Sequence, residues 1–378
     1  MPVHLPAPAP DALAASRALS DLIAAEIRSS DGWISFARYM ELVLYAPDLG
    51  YYSGGSAKLG KDGDFTTAPE ITPLFGAALA QVVAPVLQQS AAQILEFGAG
   101  SGKFARDVLN ELAAMGVQVA RYAIVDLSGE LRTRQQDMLR DFPQVAWLDR
   151  LPEQFSGAVI GNEVLDAMPV QLVVKTEAGW AERGVSFDDA GFAFADRPAA
   201  PELVAQIPDA DALPLEYVTE VHPQGCAFIH SLGAMLERGA ALLVDYGFPA
   251  HEYYHPQRSQ GTLMCHYRHH AHPDPFYLPG LQDVTAHVDF SAMARAAAES
   301  GLEMLCYASQ AAFLLQAGIA ELLMRTDPAA ARSYLPQANA VQKLVSPAEM
   351  GELFKVLVVG RGIELPAGFA RCDRSHRL

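Results

Sequence analysis

QILEFGAGSGKFARDVL, residues 93–109, decides the fold. Ile94 and Leu95 read as a buried strand, Glu96 ends it, Gly98, Gly100 and Gly102 alternate, and a helix is expected over 103–112. A strand that passes through alternating glycines straight into a helix lets a ligand lie against bare backbone at the helix N-terminus. Without a ligand, three glycines would only weaken the junction. Spacing excludes two glycine loops. The dinucleotide pattern G-x-G-x-x-G needs glycine where Lys103 stands; the phosphate loop G-x-x-x-x-G-K-[ST] needs glycine at Phe97 and a hydroxyl at Phe104.

What remains, E-x-G-x-G-x-G, resembles the first motif of class I S-adenosylmethionine (SAM) methyltransferases. That resemblance implies that the glycines admit the methionine and ribose of SAM and that Glu96 lies near its ammonium end. The chain beyond fits an α/β parallel sheet, with strands expected over 94–96, 122–125, 145–148, 158–161, 241–244, 302–307 and 355–359, most of them separated by helices. Asp126 ends the second strand, where an acid accepts ribose hydroxyls in this kind of sheet; Leu127 follows and Ser128 caps the next helix. The fourth strand runs into Asn162, Glu163 and Asp166, an amide and two carboxylates at the ligand end of the sheet.

Before the glycines, residues 1–90 read as a helical lobe. Leu19, Leu22, Ile23 and Ile27 share one helical face with Gly32 as C-cap, Ser35 caps a second helix that stops at Pro47, and Thr72 with Pro73 starts a third along Phe75, Leu79, Val82, Val83 and Val86. The polar segment between them holds Asp64, Phe65, Thr66 and Thr67, short groups suited to covering a ligand. The core domain, 91–378, carries insertions at about 170–222 and 248–290. The first is an antiparallel meander with strands at 171–175 and 180–187; a helix then runs over 223–238 and stops at Gly239. The second, rich in His, Pro and Tyr, shows no periodicity. His266, His269, His270 and His272 lie within it without paired cysteines or a helical HxxxH frame, so no metal is expected.

Composition bounds the function. With 51% hydrophobic and 19% charged residues the 378-residue chain has ample core. Its 44 acids against 27 bases give a net charge of −17, which repels nucleic acid and favours basic partners. Cys226, Cys265, Cys306 and Cys372 are widely spaced, as reduced thiols are, and no apolar run reaches the ~20 residues of a membrane span. The N-terminus resembles neither a signal nor a transit peptide, so a cytoplasmic location and no membrane insertion are expected.

With the blocks LGYY, GDFTTAPEI, EFGAGSG, GNEVLDAMPV, VDYG, GTL, DVTAHVDF and MGELFKVL, the sequence resembles the MidA-like family of class I methyltransferases, which includes the mitochondrial complex I assembly methyltransferase. The resemblance runs from about Tyr39 to Gly360 and leaves the basic segment 361–378 outside. It implies a Rossmann-like sheet of seven strands, mostly parallel with the last antiparallel, SAM as donor with S-adenosylhomocysteine as product, and methylation of a protein arginine on a respiratory complex I subunit. Asp126 departs from the longer Glu frequent at that position.

SAM needs no enzyme nucleophile; the protein must align acceptor, methyl and sulfur and exclude water. Arginine is a poor nucleophile, and carboxylates that grip its guanidinium localise the charge and take the released proton. The candidates are Glu163 first, then Asp166, Asp64, Asp289 and His287. The cofactor set is Glu96, Gly98, Gly100, Gly102, Asp126, Leu127, Ser128, Asn162 and Thr67. Small-molecule methylation and a non-catalytic SAM-binding assembly factor are the alternatives, and the long loops are candidates for a subunit contact in a homodimer.

Overall fold

The alternation of apolar strands with helices builds one sheet from β1 (Gln93–Phe97), β2 (Arg121–Val125), β3 (Val145–Leu148), β4 (Phe155–Asn162), β5 (Leu236–Phe248), β6 (Glu303–Ser309) and β7 (Phe354–Arg361). Their order is β3-β2-β1-β4-β5-β7-β6; the pairs from β3 to β5 are parallel, and β7 runs antiparallel to both β5 and β6. The expected parallel sheet with an antiparallel last strand is what forms. Strand order reverses between β1 and β4, and in open α/β sheets the crevice at such a switch point takes the ligand.

The computed structural model describes residues 5–54 and 66–378, in two units. The sheet unit comprises Thr66–Val164, Phe228–Gly247 and Met293–Leu378. Its core joins the sheet residues Ile94, Ile124, Ile160, Leu242 and Val358 to the helix Pro73–Gln89, whose Phe75, Leu79, Val82, Val83 and Val86 are buried as their spacing requires. Thr72 accepts from Leu74 N at 3.3 Å and Pro73 fills the first turn, where its missing N–H leaves nothing unpaired.

The other unit comprises Met1–Phe65, Leu165–Ala227 and Phe248–Ala292. Helices Pro10–Ser29 and Phe36–Tyr45 pack Leu19, Ile23, Ile27, Tyr39, Leu42 and Val43 with Leu172 and Val185 of an antiparallel sheet. That sheet runs Ile34–Ser35, Gly179–Asp188, Gln171–Thr176, Val218–Val221, with Gly191–Pro198 also paired to Gly179–Asp188. Ser35 accepts from Arg38 N at 3.2 Å, as a cap should, and Gly32 N donates to Ile27 O at 3.0 Å. Leu22, expected on the buried face, is an exposed side chain.

Three expectations need correction. Gly239 does not cap a helix: the helix Pro223–Met235 passes directly into β5, and Gly239 lies inside the strand opposite Gly157. A Cβ there, at φ +139°, would sit 1.9 Å from Gly157 O, so glycine answers a close backbone approach. The meander has a third strand, Gly191–Pro198, beyond the two expected. The histidine segment is a small antiparallel sheet, Met264–Tyr267 between His270–His272 and Asp283–Thr285, whose short strands fall below the length at which alternation is legible.

Candidate functional site

At the end of β1 the chain extends its ladder by one bond, Gly98 N to Val125 O at 3.0 Å, then turns. Gly98, Gly100 and Gly102 all have positive φ, at 61°, 53° and 84°, which side-chain-bearing residues adopt only under strain. Gly102 then caps the helix Lys103–Ala114, accepting from Arg106 N at 3.1 Å. A Cβ at Gly102 would press to 3.3 Å from the Gln135 backbone. Handedness thus demands all three glycines and close packing demands Gly102 as well, with the helix N-terminus opening directly after the turn.

Side chains brace this turn from two directions. Glu70, at the end of the GDFTTAPEI block, accepts from Ser101 Oγ and pairs with Lys103 Nζ, and Thr67 sits one short turn before it, its carbonyl taking Glu70 N at 3.0 Å. Gln135, fully buried, donates Nε2 to Gly100 O at 3.0 Å and to Asp126 Oδ2 at 2.7 Å, and accepts Trp147 Nε1 at 2.8 Å. It ties the glycine turn to the acid that ends β2. Asp126 Oδ1 also accepts from Ser128 N at 2.9 Å. Ser128 caps its helix on Leu131 N at 3.3 Å, and Leu127 is 76% exposed.

Glu96 is 1% exposed and accepts from Tyr122 OH at 2.8 Å. Burial pushes its carboxyl up to about 8, against the Tyr122 bond that favours the charged form and with the Asp126 charge raising it further.

Across the switch point, β4 ends at Asn162. Its Nδ2 donates to Glu163 Oε1 at 2.9 Å, while its Oδ1 is buried with no hydrogen-bond partner among the described residues. Such an oxygen costs about 1–3 kcal/mol unless a donor reaches it. Glu163 has φ +54°, strained for a non-glycine, and is held there by Glu163 N to Val244 O at 2.8 Å. Asp245, buried at the end of β5, accepts from Val164 N at 3.1 Å and Tyr246 N at 2.9 Å. The strained residue is thus held by backbone bonds on both sides.

The remaining candidates belong to the other unit. Asp166 is buried, and its carbonyl accepts from Ala286 N at 3.1 Å. His287 N donates to Thr262 Oγ1 at 3.0 Å, and Asp289 Oδ1 caps the helix Phe290–Glu299 through Ser291 N and Ala292 N at 3.0 and 3.1 Å. So Asp166 and the 286–289 segment are neighbours, with Asp289 engaged as a cap. Beneath them lies a buried network that the sequence does not disclose. Glu220 accepts from Thr262 N (2.7 Å), Leu263 N (2.9 Å) and Tyr253 OH (2.9 Å), and Tyr253 meets His222 at 3.1 Å. Burial, with the charge of His287 adding to it, pulls His222 down to about 4, so it stays neutral. Asp64 lies outside the described residues. Glu70, Gln135 and Asp245 were missed; Glu70 and Asp245 carried a signal, their places in GDFTTAPEI and VDYG, and Gln135 carried none.

Residues 77–308 match the model of a family described as "Putative S-adenosyl-L-methionine-dependent methyltransferase". Among curated relatives, the mouse "Protein arginine methyltransferase NDUFAF7, mitochondrial" is 31% identical over 365 residues, 86% of this chain and 80% of its own length; the bovine protein of that name is 30% identical over 87% and 80%. Among solved structures, a superfamily member from Burkholderia thailandensis bound to S-adenosyl-homocysteine is 57% identical with a TM-score of 0.94, covering 99% of this chain and all of that one. The mitochondrial names of the curated relatives overturn the cytoplasmic expectation. That expectation leaned on the N-terminal sequence, and reduced thiols do not distinguish one reducing compartment from another. Among the described residues no helix is long and apolar enough to cross a membrane.

Proposed function

Since the chain belongs to this family of SAM-dependent methyltransferases, we propose that it transfers a methyl group from SAM to a protein arginine, with a respiratory complex I subunit as the natural acceptor. The acceptor class rests on the match through 80% of the mouse arginine methyltransferase, and the complex I subunit on the resemblance of the sequence blocks. Bound SAM supplies an activated methyl on a sulfonium, which needs no covalent enzyme intermediate.

The residues present fit that group. The glycine turn offers helix N–H groups and room that a Cβ at Gly98 or Gly102 would take, and the unsatisfied Asn162 Oδ1 supports a role in accepting from the ammonium end. Asp126, steadied by Gln135, takes the ribose hydroxyls, and the exposed Leu127 gives the adenine an apolar face. Glu96, neutral by burial in the bare protein, ionises when a cation settles near it.

Glu163 is the acceptor-side residue. Its strained backbone and its bond from Asn162 Nδ2 aim the carboxylate, which grips the guanidinium and accepts the proton released after transfer. Incubation with methyl-labelled SAM and a complex I subunit should put the label on one arginine; equal labelling after Arg→Lys replacement of that acceptor contradicts the proposal.

A further inference from the structure

The antiparallel sheet of the unit that holds Leu165–Ala227 ends in an open edge that the donor and acceptor residues proposed above do not use. Gly191–Pro198 pairs with Gly179–Asp188 in unbroken register, from Asp188 opposite Gly191 to Ala181 opposite Pro198, and among the described residues it pairs with no other strand. One position beyond that ladder, Ala199 N donates to Trp180 O at 3.0 Å. Bonded and non-bonded positions alternate in an antiparallel pair. Residues 191, 193, 195 and 197 therefore turn their backbone groups to the neighbouring strand, and Phe192, Phe194 and Asp196 turn theirs outward. Proteins blunt such an edge with lysine, proline or a bulge. Here the first five residues, GFAFA, carry no charge, the ladder has no bulge, and Pro198 stands only at the end.

Both faces of the strand are covered, so its edge is what stays open. Phe192 packs on Tyr39, and Phe194 on Phe36 and Phe276. On the opposite face Trp33 lies across Gly184, its Nε1 donates to Ala195 O at 2.7 Å, and Arg197 stacks 4.6 Å over its ring. Beside the outward backbone, Phe194 remains 41% exposed, with Arg183 over its ring at 5.6 Å and paired with Asp196 at 2.9 Å. The insertion that carries this hairpin, 170–222, holds ten acids and three bases. All three bases are engaged: Arg183 and Arg197 as described, and Lys175 with the carbonyls of Ala210, Asp211 and Leu213. Asp188 and Asp189, at the hairpin tip, are exposed.

We infer that this edge docks the arginine-bearing acceptor protein, which adds a basic, extended segment of its own as a further strand. The outward groups of Phe192, Phe194 and Asp196 supply the main-chain bonds. The exposed Phe194 ring takes an apolar or guanidinium-bearing side chain of the added strand, and the acids of the insertion supply the complementary charge. The same charge disfavours pairing with a second copy, which would bring two insertions of like sign together. That the partner is the methyl acceptor rests on the function proposed above; the strand addition is read from the edge itself.

The test is amide hydrogen exchange of the full chain, loaded with S-adenosylhomocysteine to prevent turnover, with and without the complex I subunit. Protection should appear over 191–198 when the subunit binds. Phe194→Pro removes an outward N–H that the native ladder does not use, so it should abolish that protection and weaken binding by about tenfold or more. Asp189→Lys should weaken binding by about threefold or more at low salt. Both variants should bind S-adenosylhomocysteine as the wild type does. No protection over 191–198 in the wild-type mixture overturns the inference, as does a Phe194→Pro chain that binds the subunit normally. Conversion of a dimer to a monomer by Phe194→Pro, with subunit binding unchanged, also overturns it and gives the edge to a second copy. Exchange in the wild-type chain decides even if Phe194→Pro does not fold. Docking that persists on a subunit whose arginine gains no methyl from SAM would instead sink arginine methylation and leave the docking edge standing.

Discussion

Glu96 carries the sharpest consequence at the scale of single residues. Its folded value of about 8 lies above the ordinary carboxyl value, so the protonated form stabilises the fold. That contribution is whole below about pH 4.3 and is lost as pH rises through about 8, by up to ~1.4 kcal/mol per pH unit. A melting series from about pH 6 to about pH 9 should show wild type losing stability relative to Glu96→Gln. Parallel melting curves would show that Glu96 is already ionised. Gln135 gives a second test. Gln135→Ala removes the bonds to the half-buried Gly100 carbonyl, an Asp126 oxygen and Trp147 Nε1, and each lost hydrogen bond costs about 0.5–1.5 kcal/mol. Calorimetry should find S-adenosylhomocysteine bound about tenfold or more weakly, together with a lower melting temperature; unchanged affinity would detach Gln135 from the site. Residues such as this were illegible in the sequence because the three partners, at 100, 126 and 147, converge only in the folded unit. Gly98 to Gly102 and Asp126 were legible because their spacing along the chain is itself the geometry.

At the scale of elements, Gly239→Ala tests the closest approach of β4 and β5. The added Cβ would meet Gly157 O and the residue would need φ +139°, so a loss of about 3 kcal/mol or more is expected, read as insoluble protein or a collapsed denaturation midpoint. A normal midpoint would mean that the strands part at no cost. Elements announced by local chemistry were read correctly: Ser35, Thr72 and Ser128 each cap the helix they precede. Those that needed a partner strand were not. The ladder from Gly191 to Pro198 against 181–188 and the short strands between 264 and 285 owe their form to pairing, which leaves a weak trace in sequence. Gly239 was misread for the same reason, since a glycine after a helical pattern signals a cap unless the parallel neighbour is known.

For the whole molecule, the net charge of −17 sets how an arginine-bearing partner arrives. Association should slow as salt shortens the screening length from ~10 Å at about 0.1 M, while the rate of methyl transfer from a saturated complex stays level. Stopped-flow binding against ionic strength checks this, and a salt-independent on-rate would mean that the acidic surface does not steer the acceptor. The residues proposed to hold the donor lie in the sheet unit with Glu163, whereas Asp166, His287 and Asp289 lie in the other unit, so the effects of substitutions in the two units should be separable. The most direct measurement runs labelled-methyl transfer to a complex I subunit beside S-adenosylhomocysteine calorimetry for wild type, Gly100→Val and Glu163→Gln. The account predicts methylarginine from wild type, loss of both binding and transfer in Gly100→Val, and near-normal binding with transfer down by about a hundredfold or more in Glu163→Gln. Undiminished transfer by Glu163→Gln, or label recovered anywhere but on arginine, would contradict it.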